Sequence, residues 1–134
     1  MNILLKNLLK LLSPHRHAEY CGVKMGKNVF WASRYVPTEP YLVEIGNNVQ
    51  ITEGVKIFTH GGAHVARYKD PTFDTFGKVI IGDWTYIGTD SLIMPGCTIG
   101  EHCLIAAGSV VTKSIPSGYV VGGNPAKIIC TTED

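Results

Sequence analysis

A chain of 134 residues is long enough for one domain and short for two. Twelve basic against eleven acidic side chains leave a formal charge of +1, which excludes a charge-driven nucleic-acid binder and a strongly acidic partner. With 45% hydrophobic residues and as many as 15 glycines, the chain reads as a globular domain that turns many corners, not as a helical bundle.

Ile3, Leu4, Leu5, Leu8, Leu9, Leu11 and Leu12 fall at helical spacing, with Asn2, Lys6, Asn7 and Lys10 between them, and predict a helix within residues 1–14. The run is too short to span a bilayer, and Ser13-Pro14-His15-Arg16 follows it where a signal peptide would carry a small-residue cleavage site. The expected role of the helix is to cover one end of the fold or a neighbouring subunit. Contact of residues 1–12 with a membrane surface is the alternative. His15 and His17 fall in a polar stretch read as a solvated linker. Cys21, Cys97, Cys103 and Cys130 show neither CxxC nor metal-site spacing, which points to free thiols in a reducing compartment.

From residue 81 an internal repeat dominates. Ile81, Ile87, Ile93, Ile99, Ile105 and Val111 are six apart, and the following position holds Gly82, Gly88, Met94, Gly100, Ala106 and Thr112. Four past each aliphatic stand Thr85, Ser91, Cys97, Cys103, Ser109 and Ile115, with the two cysteines read as small inward packing residues. On a helix, six residues rotate by roughly 240°, so the aliphatics would scatter around the axis. A half-buried flat strand would need apolar residues at every second position. The spacing fits a chain that runs straight briefly, turns and runs straight again, with glycines serving the corners and one aliphatic per face pointing inward. Met25-Gly26-Lys27-Asn28-Val29 and Ile45-Gly46-Asn47-Asn48-Val49 are earlier copies, continued by Ile51 and Ile57, while Tyr35 to Val43, with Pro37 and Pro40, breaks the register.

The repeat stops after Ile57 and resumes near Val79. The segment between is long for a compact domain, and its aromatics argue against plain disorder. It carries His60 and His64, imidazoles that can take a proton from an attacking hydroxyl near neutral pH. His60 follows the Ile57 rung directly, which favours it; His64 lies farther into the loop.

Over about residues 21–129 these features resemble the hexapeptide-repeat acyltransferases. The resemblance implies an all-β solenoid, a left-handed parallel β-helix with a short N-terminal helix and one extruded loop. The left hand comes from the resemblance alone, since general crossover rules favour the right. It also implies a homotrimer with active sites between subunits, acetyl-coenzyme A as donor, no metal, and a hydroxyl of a sugar or similar small molecule as acceptor. The family's catalytic histidine falls at the root of the loop. Thr59-His60-Gly61-Gly62 is similar to one subfamily, although the acidic residue that often follows the histidine there is missing; Gly62-Ala63-His64 is similar to an antibiotic-modifying one. Ser33 and Glu39 fall where sugar-acetylating relatives place acceptor contacts, although Ala32 stands where one of them carries asparagine, and Tyr86 takes the place of an aromatic beside the site. The stretches Ile105 to Pro116 and Val121 to Ile129 resemble the donor-binding end, with Thr89, Ala107, Thr112, Lys113 and Lys127 matching the pattern and the lysines suited to phosphates.

The expected organisation is a single domain, 1–134: a helix in 1–14, first coils in 21–60, an active-site loop in 61–78, and further coils with the donor-binding end in 79–129. A cytoplasmic place in polysaccharide biosynthesis fits, with peripheral contact at the inner face of the membrane as the variant. Two rivals stay open: a γ-type carbonic-anhydrase-like metalloenzyme on the same fold, which would need a third histidine, and a non-catalytic binding module.

Overall fold

The computed structural model describes residues 2–133; Met1 and Asp134, the two ends of the expected domain, lie outside them. The chain winds into a prism whose three faces are three sheets. The first face stacks β1 (Lys24–Met25), β3 (Val43–Ile45), β6 (Val79–Ile81) and β9 (Thr98–Ile99). The second stacks β2 (Phe30–Trp31), β4 (Gln50–Ile51), β7 (Tyr86–Ile87), β10 (Leu104–Ile105) and β12 (Tyr119–Gly122), with β13 (Lys127–Thr131) antiparallel at its end. The third stacks β5 (Lys56–Ile57), β8 (Leu92–Ile93) and β11 (Val110–Val111).

Register follows the repeat. Ile87 lies opposite Ile105, and the Cys103 amide meets the Thr85 hydroxyl 18 residues back, so three six-residue units close one coil. Each unit sends one branched side chain inward. Ile87, Ile93, Ile99, Ile105 and Val111 are fully buried, and each such burial contributes about 1.5–3 kcal/mol. Cys97 and Cys103 share this interior, and burial pushes the Cys97 thiol up against a weaker opposing hydrogen bond. Trp31 closes the column at the leading end and donates its indole N–H to the Ser33 carbonyl at 2.8 Å.

The glycines serve the prism differently from the expectation. Gly82, Gly88 and Gly100, one past the aliphatic, have ordinary backbone angles. They are glycine because the next coil is too close: a Cβ on Gly88 would stand 2.5 Å from the Ala107 amide nitrogen. The left-handed turns are shared between other glycines, such as Gly96 and Gly108, and Asn28, Asn48, Trp84, Asp90 and His102.

The leading end also departs from expectation. In place of one helix within residues 1–14 followed by a linker there are two: α1 (Ile3–Leu12) and α2 (Pro14–Cys21), hinged at Ser13, whose hydroxyl accepts from the Arg16 amide at the start of α2. His17 and Ala18 of α2 are buried, whereas α1 buries nothing. The cap on the open end is therefore α2. Its apolar contact is made by a histidine and an alanine, which read as polar and neutral in the sequence. No helix among the described residues is long and apolar enough to cross a membrane.

Candidate active site

The interruption between Ile57 and Val79 doubles a coil: the Asn47 amide reaches its Asp83 partner across 36 residues where the regular spacing is 18. The excess leaves the prism at the corner between the third and first faces. Its root is sealed by an antiparallel bridge between His60 and Phe76 and by the Gly77 amide on the Thr59 carbonyl at 2.8 Å. Within the loop, Arg67 bonds the Phe73 carbonyl and pairs with Asp74, and Asp70 accepts from the amide and hydroxyl of Thr72. Val65 and Tyr68 stand in solvent, both more than three-quarters exposed.

His60 sits at that root. Its Nδ1 lies 2.6 Å from Glu39 Oε1 and 3.0 Å from Thr38 Oγ1. Thr59, buried, donates its hydroxyl to the same carboxylate at 2.9 Å. Burial raises the Glu39 pKa, but hydrogen bonds from Thr38, Thr59 and His60, with the histidine's charge, outweigh it and hold the carboxyl below its ordinary value. Beside it, the Tyr35 phenol is raised by burial and then by the Glu39 charge. An ionised carboxylate only accepts, so it fixes the proton of a neutral His60 on Nδ1 and leaves Nε2 as a lone-pair base. Glu39 is nearly covered, while the His60 side chain is 44% exposed, so the imidazole is gripped on one side and open on the other.

The other expected residues divide by place. His64 lies in the 3-10 turn Ala63–Ala66, exposed, and its side chain makes no hydrogen bond among the described residues. Ser33 is buried, donating to the Val55 carbonyl and accepting from the Tyr35 amide, so its hydroxyl braces a corner. Glu39 is engaged by His60, a positioning contact that sequence reasoning missed along with Thr38 and Thr59. The one signal was that Glu39 lies in the register break after Pro37.

Thr112 and Lys113 are exposed on the same corner as His60, two coils farther along, about 10 Å of strand spacing. Thr89 and Ala107 stack on a different corner, between the second and third faces, where the Gly108 amide meets the Thr89 carbonyl. Tyr86 is partly exposed on the second face, and Lys127 opens β13 on that face. A cleft of about 720 Å³ is bordered by Trp84, Tyr86, His102, Leu104 and Tyr119, and no residue of the His60 corner lines it. A single chain thus separates His60 from Tyr86 and sets Thr89 and Ala107 on a different corner from Thr112 and Lys113. Among the described residues no three metal-ligating side chains converge.

The sequence signature described as bacterial transferase hexapeptide (six repeats) matches residues 77–113. Protein CapG of Staphylococcus aureus is 50% identical over 116 residues, covering 84% of this chain and 67% of that protein. A maltose O-acetyltransferase structure from Clostridium difficile 630 superposes with a TM-score of 0.72 at 34% identity, covering 82% of this chain and 59% of that one. A hexapeptide-repeat-containing acetyltransferase from Vibrio cholerae O1 biovar eltor, solved with acetyl coenzyme A, gives 0.71 at 26% identity, covering 84% and 62%. The chain therefore spans roughly three-fifths to two-thirds of the length of these proteins. The shared fold is the left-handed parallel β-helix, in the hand that the sequence resemblance implied.

Proposed function

Because the chain belongs to the hexapeptide-repeat family of acetyltransferases, we propose that it moves the acetyl group of acetyl-coenzyme A onto a hydroxyl of a sugar or similar small acceptor, with His60 as general base. The observation that carries this reading is the Glu39–His60 pair, braced by Thr38 and Thr59 and open at Nε2.

In this mechanism Nε2 takes the proton of the acceptor hydroxyl as its oxygen attacks the thioester carbonyl. The new C–O bond forms, the C–S bond breaks, and the imidazolium returns its proton to the departing thiolate. Glu39 steadies the transient imidazolium, so the base need not reorient between the two transfers. No acyl-enzyme is formed.

The same reading takes the working unit to be a homotrimer. His60, Thr112 and Lys113 of one copy would face Tyr86, Thr89 and Ala107 of the next, with Lys127 near the nucleotide phosphates. Support comes from the division just described, since one chain alone sets these residues on different sides of the prism. The proposed setting is the cytoplasm, in line with the unpaired cysteines, and polysaccharide modification fits the sugar-directed relative.

Thiol release from acetyl-coenzyme A with candidate saccharides tests the base. His60→Ala should lower kcat by about 10²–10⁴-fold, the range of general-base catalysis. His64→Ala should stay within about twofold, as for an exposed side chain without partners. Undiminished turnover in His60→Ala removes the mechanism; loss confined to His64→Ala transfers the role to that residue.

A further inference from the structure

The proposed reaction gives no work to α1. None of its residues is buried; Ile3, Leu4, Leu11 and Leu12 are each more than 60% exposed, and Leu8 is about half exposed. At helical spacing Leu4, Leu8, Leu11, Leu12 and Leu5 form one arc, with Lys6 and Lys10 on the opposite flank. Leu9, which falls between that arc and Lys6, is the one residue of α1 that is not exposed, so that side of the helix lies toward the rest of the chain. Burial, and then the charges of Lys10 and Lys6, hold the His17 pKa below the usual histidine range. The described residues leave the leucine arc uncovered.

Charge decides what would cover it. Before Glu19 the formally charged side chains are Lys6, Lys10 and Arg16, all basic, whereas residues 19–134 carry nine basic against eleven acidic ones. Two copies of α1 meeting through their leucines would place four lysines on one helix pair with no acid on either helix. A layer of anionic headgroups supplies the missing counter-charge and accepts leucines beneath it. From the exposed leucine arc and the uncompensated basic flank, we infer that α1 docks this chain on an anionic bilayer surface, lying in the interface plane. The docked end is also the catalytic end: α2 rests on the 3-10 turn Pro40–Leu42, which directly follows Glu39.

Sedimentation of the full chain with vesicles, without acetyl-coenzyme A, tests this directly. Phosphatidylglycerol vesicles should carry the protein down, and pure phosphatidylcholine vesicles should do so at least about tenfold less well. A Leu4→Gln/Leu8→Gln/Leu11→Gln variant should lose at least about tenfold in binding to the anionic vesicles, with unchanged circular dichroism and unchanged oligomer mass in sedimentation velocity. Lys6→Gln/Lys10→Gln should weaken binding severalfold, as should added salt. Turnover of a water-soluble acceptor should be the same in the leucine variant and the wild type, so a failure here is distinct from a failure of the acetyl-transfer reading. The inference is overturned if the wild type ignores anionic vesicles or if the leucine variant binds them equally well. A fall in oligomer mass in the leucine variant also overturns it, and assigns α1 to a second copy.

Discussion

The coils from Val79 onward and the coil interrupted at His60 have the same cross-section but are held by different physics. In the regular coils a position in the six-residue unit dictates a residue: Ile87, Ile93 and Ile99 differ in sequence neighbours yet are equally buried. Their side chains are chosen by packing, and the polar residues beside them, such as Thr85 and Ser91, spend their hydroxyls on neighbouring coil carbonyls. At the interrupted coil Thr38, Thr59 and His60 converge on the Glu39 carboxylate, which stacking does not require. One region uses polar groups to close itself, and the other leaves a nitrogen open. An arrangement of the second kind, in a chain otherwise so repetitive, is where chemistry should be sought.

That contrast can be broken from either side. The largest effect is the one set out for His60→Ala, which should remove activity while leaving the thermal unfolding midpoint near that of the wild type, because the ring is half exposed and carries no core packing. Ile87→Ala should do the reverse. It leaves a cavity in the buried column and should cost about 2–5 kcal/mol in denaturant unfolding, with turnover per folded molecule preserved at low temperature. Glu39→Gln should lower kcat by about 10–100-fold with a smaller change in KM, since an amide can present an N–H to Nδ1 and undo the tautomer. A loss expressed in KM alone would return Glu39 to its expected role as an acceptor contact. Gly88→Ala is the smallest: forcing a methyl against the Ala107 backbone should cost about 1–3 kcal/mol in the same unfolding experiment. If it is neutral, the glycine is there for some reason other than coil spacing.

Much of the prism was legible because its rule is local. One aliphatic every six residues is visible in a single sequence, and the coil period follows from it. The corners were less legible. Gly82 and Gly88 look like turn residues, but their cause is a coil 18 residues away in the chain, which no local pattern displays. α2 was missed because His17 and Ala18 are what it buries, so its inward face carries no apolar stripe. At the site, His60 could be singled out from its place after a rung. The Glu39 contact could not, because it bridges 21 residues across a register break, and Ser33 looked available although the fold spends its hydroxyl on the Val55 carbonyl. Chemistry that depends on two segments meeting is written in the fold, and only its components are written in the sequence.

The central claim is that the His60 corner of one copy works on the Tyr86 face of another. Co-expressing His60→Ala with Tyr86→Ala, each expected to be inactive alone, and assaying thiol release from the mixed oligomers tests it most directly. If base and aromatic come from different copies, random mixing restores both at about one site in four, and activity should return to about a quarter of wild type. A mixture no more active than its two parents would contradict the account.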